Sequence, residues 1–272
     1  MADSPVVLRD VHKSFGSMVV LDGLTMDFPA GQTTAVIGPS GTGKSVLLKH
    51  IVGLLEPDRG EVRVFGTDMA RAPESARYAV RKRLGMLFQD GALFDSLTVG
   101  ENIEFPLVQH RKDLSATKRR ERVAEVLKMV ELPGIEERAI SSLSGGQRKR
   151  VGLARAIVHS PEMVLFDEPN SGLDPMTSDA IDQLIGHLKR SLGITFVVIT
   201  HDIVSTIHIA DRIAMLYGGK LVAWGTVQEV LHSPEPVVRR FFARNLQLPT
   251  GEGEARLLSA PPSALTPSPH SG

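Results

Sequence analysis

The chain has 272 residues, with 31 Lys and Arg balanced by 31 Asp and Glu, and no cysteine. This balance excludes a global basic field for nucleic acid or an anionic membrane, and the missing cysteine excludes both a disulfide scaffold and a cysteine-ligated zinc module. The length suits one large or two small domains, no run approaches the ~18 apolar residues of a membrane span, and Met1-Ala2-Asp3-Ser4-Pro5 lacks the basic start of a signal peptide, so the chain reads as soluble and cytosolic.

Up to about residue 30, Val6-Val7-Leu8-Arg9-Asp10 and Leu24-Thr25-Met26-Asp27-Phe28 read as strands of an antiparallel sheet, which Glu61-Val62-Arg63-Val64-Phe65 joins. Thr34-Ala35-Val36-Ile37 is a buried strand and residues 46–52 a helix. The basic runs Arg81-Lys82-Arg83 and Lys118-Arg119-Arg120 read as solvated helix faces. Strand patterns vanish between residues 95 and 160, where Val123, Val126, Leu127 and Val130 recur at helical spacing, and this block is expected to be a helical insert. Three continuous apolar runs follow, Met163-Val164-Leu165-Phe166, residues 194–199 and Ile213-Ala214-Met215-Leu216, as in a parallel sheet covered on both faces. A helix over 177–190 separates the first two, and residues 220–225 form a last strand after the Gly218-Gly219 turn. Residues 249–272, rich in Pro, Ser and Ala, are expected to stay disordered.

Between the strand ending at Ile37 and its helix stands Gly38-Pro39-Ser40-Gly41-Thr42-Gly43-Lys44-Ser45. Glycines let backbone N–H groups curl around a polyphosphate at a helix N-terminus, Lys44 reaches the β- and γ-phosphates, and Ser45 ligates Mg²⁺. Asp167 and Glu168 end a buried strand, the edge where ligands of open α/β sheets collect; Asp167 suits a Mg²⁺ shell and Glu168 the polarisation of an attacking water. Leu143-Ser144-Gly145-Gly146-Gln147 precedes another helix, so Ser144 is either a plain N-cap or part of a second anion site.

Leu143 to Gln147 matches the LSGGQ signature of the ATPases of ABC transporters, and the chain resembles that family from about residue 5 to 235. Phe15 resembles the aromatic that stacks on adenine, Gln89 the Q-loop glutamine that also reaches the metal, Ser171-Gly172-Leu173-Asp174 the D-loop, and His201 the switch histidine. The resemblance implies an α/β P-loop NTPase over residues 5–240: a RecA-like mixed-sheet core, an N-terminal antiparallel β subdomain, and a helical subdomain at about 95–160. It also implies a head-to-tail dimer, in which ATP held by the 38–46 loop of one copy, Val46 included, is covered by Ser144 and Gly146 of the other. Glu168 is then the catalytic base, with Lys44, Gln89 and His201 beside the γ-phosphate, and Ser45, Gln89 and Asp167 around Mg²⁺.

Leu93 and Phe94 follow the Q-loop where this family receives a membrane subunit; ordinary core is the other reading of these two side chains. With Val46 and the stretches 41–48, 94–103 and 146–151, they resemble the ATPases of MCE-type (Mla-like) phospholipid-trafficking systems. Importers of small polar solutes more often carry Thr at position 46, and Asn170 departs from the family's usual Thr. The expected partners are a second copy, membrane permeases, and MCE-domain and STAS-domain proteins at the cytoplasmic face of the inner membrane, with no nucleic acid. An amino-acid or other small-solute importer is the alternative. A sugar importer lacks room here for its appended barrel, and non-transport ABC ATPases need a coiled-coil arm, a zinc module or two heads. A subunit that no longer hydrolyses is disfavoured by Glu168 and His201.

Overall fold

The computed structural model describes residues 4–89 and 91–246, so the expectation for residues 249–272 lies outside the described residues. In chain order the elements are β1 (Val6–Phe15), β2 (Met18–Phe28), β3 (Thr33–Ile37), α1 (Lys44–Ile51), β4 (Arg59–Val64), β5 (Thr67–Asp68), α2 (Glu74–Arg81), β6 (Leu84–Leu87), α3 (Val99–His110), α4 (Ala116–Met129), α5 (Gly145–Ile157), β7 (Met163–Asp167), α6 (Pro175–Leu192), β8 (Thr195–Ile199), α7 (Ile203–Ile209), β9 (Arg212–Tyr217), β10 (Lys220–Thr226), α8 (Val227–Leu231) and α9 (Pro236–Asn245). No helix among the described residues is long and apolar enough to cross a membrane.

Two sheets divide the strands. The antiparallel one runs β2-β1-β4-β5, and the mixed one runs β10-β9-β3-β8-β7-β6, with β9 to β6 parallel and β10 antiparallel at the edge. The continuous apolar runs serve both faces of the second sheet. On β7, Met163 and Leu165 pack towards the antiparallel sheet and α1, whereas Val164 and Phe166 pack with α3, α4, α5 and α6. The period of two repeats on β8, where Phe196 and Val198 join Phe166, and Val197 and Ile199 join Leu165. Phe166 and Phe196 meet edge-on, with ring centroids 5.2 Å apart, and each fully buried ring contributes about 2 kcal/mol.

Between β6 and β7 the described residues form helices joined by loops, with no strand apart from one isolated bridge, Thr98 to Ala139. Local chemistry sets its boundaries. Thr98 and Glu101 form a capping box at α3, and Ser115 accepts from the Lys118 N–H to start α4. Val123, Val126 and Leu127 then turn one face of α4 into the core. The basic runs are partly consumed rather than merely solvated. Arg81 pairs with Glu74, Arg83 pairs with Glu162 and stacks on Phe65, and Arg119 pairs with Glu104.

The parallel register levels the carboxyl ends of four strands. Val36 pairs with Ile199, Ile199 with Asp167, and Phe166 with Leu87. One or two residues beyond this line stand Gly38, His201, Glu168 and Gln89. A single sheet edge therefore gathers groups far apart in sequence.

Candidate functional site

The loop from Gly38 to Ser45 leaves β3 through backbone that only glycine tolerates. Gly38 has φ of 147°, and a methyl group there would stand 2.2 Å from the Leu216 carbonyl oxygen. Gly43, at φ of 94°, lies against β2, where a methyl group would stand 2.8 Å from the Val20 carbonyl. The loop is thus wedged between β9 and the β1–β2 hairpin that carries Phe15. That ring is 44 % exposed at the end of β1, with the Lys13 ammonium 5.6 Å from its centroid.

Lys44 is buried and folds back on the loop, donating to the carbonyls of Gly38 at 2.7 Å and Pro39 at 3.0 Å. Burial pulls its pKa down, while the carboxylates of Glu168 and Asp167 oppose that shift. No side chain caps α1 and no acid stands in its first turn, so its leading N–H groups are left for an anion. Pro39, Ser40 and Gly41 line the outer curve, and Thr42 Oγ1 closes it onto the Pro39 carbonyl at 2.9 Å. Ser45 is exposed, whereas Val46 packs its side chain on the core between α1 and the antiparallel sheet.

Across from the loop, Asp167 Oδ1 lies 3.5 Å from Ser45 Oγ. Burial and the neighbouring Glu168 charge raise the Asp167 pKa. Two carboxylates and a hydroxyl facing an uncapped helix fit a hard divalent cation shared with a polyphosphate, because Mg²⁺ takes one or two protein oxygens and leaves its other positions to phosphate and water. Glu168 has φ of 50°, an uncommon conformation for a residue with a side chain. Its N–H is held by the Ile199 carbonyl at 2.8 Å, and its Oε2 lies 2.9 Å from Nδ1 of His201. His201 is exposed, the carboxylate far less so. Gln89 is also exposed, one residue before a break in the described chain.

The Leu143 to Gln147 motif forms a second cluster. Ser144 caps α5, its Oγ accepting from the Gln147 N–H while Gln147 Oε1 accepts from the Ser144 N–H, and Leu143 is buried beneath. Its glycines face the start of α6. A methyl group at Gly146 would come within 2.6 Å of Thr177 Cγ2, and one at Gly145 within 3.4 Å of Leu173. Asp174 caps α6 by accepting from the Thr177 N–H and hydroxyl, bonds that hold its pKa down. Ser171 and Gly172 lead from Glu168 into this cap, the Ser171 N–H donating to the Glu168 carbonyl at 3.2 Å.

Two further residues, outside the expected site set, hold the site's backbone. Asn170 is buried and donates to Asp182 at 2.8 Å and Ser205 at 3.0 Å, tying the segment after Glu168 to α6 and α7. Only its unusual identity after Asp167-Glu168-Pro169 pointed to it. Lys149 sits buried on α5 and donates to the carbonyls of Gln89 and Glu168, the latter at 3.3 Å. A basic residue one turn past a helix cap offers no sequence signal for that contact. Leu93 packs on the helical core, whereas Phe94 is 43 % exposed. Phe94 meets Phe105 at 5.1 Å and, with Phe88, Ala92, Pro106 and His159, lines a cavity of about 440 Å³.

The chain is similar to known proteins over most of its length. The family model described as ABC transporter matches residues 21–171. The probable ribonucleotide transport ATP-binding protein mkl of Mycobacterium leprae is 40 % identical over 251 residues, which is 92 % of this chain and 72 % of that protein. The intermembrane phospholipid transport system ATP-binding protein MlaF of Escherichia coli K12 is 40 % identical over 237 residues, 87 % of this chain and 88 % of its own. Among solved structures, the dimeric post-hydrolysis state of the ATP-binding cassette MJ0796 bound to ADP and Pi superposes with a TM-score of 0.74 at 34 % identity, covering 82 % of this chain and 98 % of that one. The family match and 40 % identity over most of the length of these relatives identify the chain as an ATP-hydrolysing subunit of the ABC transporter family.

Proposed function

We propose that this chain energises phospholipid transport as the ATPase of an MCE-type system, with residues 5–240 as its ATPase unit and about 95–160 as the helical subdomain within it. The observation that carries this reading is the similarity to MlaF, which runs nearly end to end in both proteins. The mycobacterial relative named for ribonucleotide transport is equally similar and favours a second reading, a nucleotide cargo.

In the proposed mechanism Lys44 exchanges its loop carbonyls for phosphate oxygens, and the leading N–H groups of α1 hold the same anion. Ser45, Asp167 and Gln89 would hold Mg²⁺, which would offset negative charge on the phosphate. Glu168 accepts a proton from the attacking water, and His201, with Nδ1 2.9 Å from the Glu168 carboxylate, orients that carboxylate and faces the γ-phosphate. Phe15 supports the base. A second copy supplies Ser144 and Gly146 over the phosphates, so the site is complete only in a head-to-tail dimer, with its Asp174 cap at the seam. The apolar cavity beside Phe94 and Phe105 receives a permease helix, which holds the assembly at the cytoplasmic face of the inner membrane; MCE-domain and STAS-domain partners complete the system.

The test is to purify the chain with its membrane partners and identify the bound cargo by lipid mass spectrometry and nucleotide chromatography. Stoichiometric phospholipid, together with ATPase stimulation by phospholipid vesicles, supports the reading. Bound nucleotide at the partner subunits with no lipid overturns it.

A further inference from the structure

α5 begins at the signature cluster and, within two turns, grips the backbone of the hydrolytic site. Lys149, five residues after Ser144, is 6 % exposed, and its ammonium donates to the carbonyls of Gln89 and Glu168. Arg155, further along the same helix, donates to the carbonyls of Gly91 at 2.6 Å and Ala92 at 2.8 Å. The helix therefore holds the segment after β6 at both ends, and Lys149 in addition holds the residue after β7.

Both of these Lys149 contacts are made to backbone carbonyls. One of the two carbonyls belongs to a residue in a strained conformation, Glu168 at φ of 50°. The same carbonyl also accepts from the Ser171 N–H, the first residue of the segment leading to the α6 cap. A small rotation of α5 thus moves Lys149, and with it the peptide planes that aim the side chains of Gln89 and Glu168. The two Lys149 contacts fall on the Gln89 and Glu168 backbone rather than on the phosphate loop.

We propose that Lys149 is a positioning residue that couples the two ATP sites of the dimer: engagement of Ser144 and Gly146 on the nucleotide of the second copy seats α5, and Lys149 transmits that seating to Gln89 and Glu168 of its own site. This rests on the composite-site reading above. It assigns the cooperativity of ATP hydrolysis to one buried ammonium, and leaves nucleotide affinity to Lys44 and the loop.

The experiment uses the full chain as wild type, Lys149→Met, Lys149→Gln and Lys149→Arg, and reads steady-state kcat, KM and Hill coefficient, the affinity for a fluorescent ATP analogue, and the melting temperature. The methionine and glutamine variants are expected to lose roughly 10- to 100-fold in kcat. Their nucleotide affinity should stay within about threefold of wild type, and the Hill coefficient should fall towards about 1. Lys149→Arg is expected to recover part of both kcat and cooperativity. Wild-type kcat and Hill coefficient in Lys149→Met and Lys149→Gln overturn the proposal. So does a non-cooperative wild type, or a loss of nucleotide affinity and melting temperature in step with kcat, which marks a plain packing role. Should Lys149→Met fail to fold, Lys149→Gln and Lys149→Arg carry the test. ATP-driven dimerisation of Glu168→Gln is measured in parallel: its absence removes the composite site itself, while its presence with unchanged Lys149 variants removes only the coupling.

Discussion

Nδ1 of His201 stands 2.9 Å from Oε2 of Glu168, although the two residues end different strands. Adjacent parallel strands in register, Asp167 opposite Ile199, bring them together. If His201 orients the base and faces the γ-phosphate, His201→Ala should reduce kcat by roughly 10²-fold with KM changed only a few-fold. Steady-state ATPase assays check this, and an unchanged kcat contradicts it.

Asp167 is poised for a cation at the expense of the cation-free fold. Burial and Glu168 raise its pKa. An acid whose folded-state pKa lies above its unfolded value favours the fold in its protonated form, and that advantage is lost as pH rises through the folded pKa. Asp167→Asn is therefore expected to raise the melting temperature of nucleotide-free protein at pH 7 while abolishing the Mg²⁺-dependent part of stabilisation by ATP. Thermal melts with and without Mg²⁺ decide, and a full Mg²⁺ response in the variant removes Asp167 from the metal role.

Asn170 joins Asp182 and Ser205 in a buried polar network, and Ser205 itself donates to Asp182 at 2.7 Å. Burial pushes the Asp182 pKa up, and these donors restrain it. Asn170→Ala removes one donor from a buried carboxyl and should cost about 1–3 kcal/mol in urea unfolding. Asn170→Thr, with a hydroxyl to donate, should recover part of that loss. Equal stability of all three proteins contradicts the network's importance.

His159 lines the apolar cavity, its Nε2 donating to the Leu84 carbonyl at 3.1 Å while Nδ1 is buried with no hydrogen-bond partner among the described residues. Burial first, then nearby His110 and Arg122, lowers its pKa from 6.5 to about 4. A base with a depressed folded-state pKa stabilises the fold while neutral. That contribution is whole above the unfolded value of 6.5 and fades as pH falls towards about 4, a loss on the order of 3 kcal/mol. Denaturant titrations between those limits should show the decline, and His159→Gln should flatten it.

Much of the fold was legible because the signals were backbone signals. Continuous apolar runs at Met163 to Phe166 and Ile213 to Leu216 mark two-sided burial, and both are central parallel strands. The Gly218-Gly219 turn marks the β9–β10 hairpin. The short strands escaped notice. β6, at Leu84–Leu87, is too brief for a period to show, and β5 has two residues. At the candidate site, residues singled out by loop chemistry such as Gly38 to Ser45 could be named as candidates from the sequence. Asn170 and Lys149 could not, since each matters through a partner on another element, and pairing between distant elements leaves no trace in one sequence.

The central claim is an ATP site shared by two copies of this chain, with Glu168 as base. The most direct measurement is the mass of Glu168→Gln protein by light scattering with and without MgATP, alongside its turnover. The expected result is a dimer that retains two ATP molecules and hydrolyses them at least ~10²-fold more slowly than wild type. A monomer in saturating MgATP, or turnover at the wild-type rate, contradicts it.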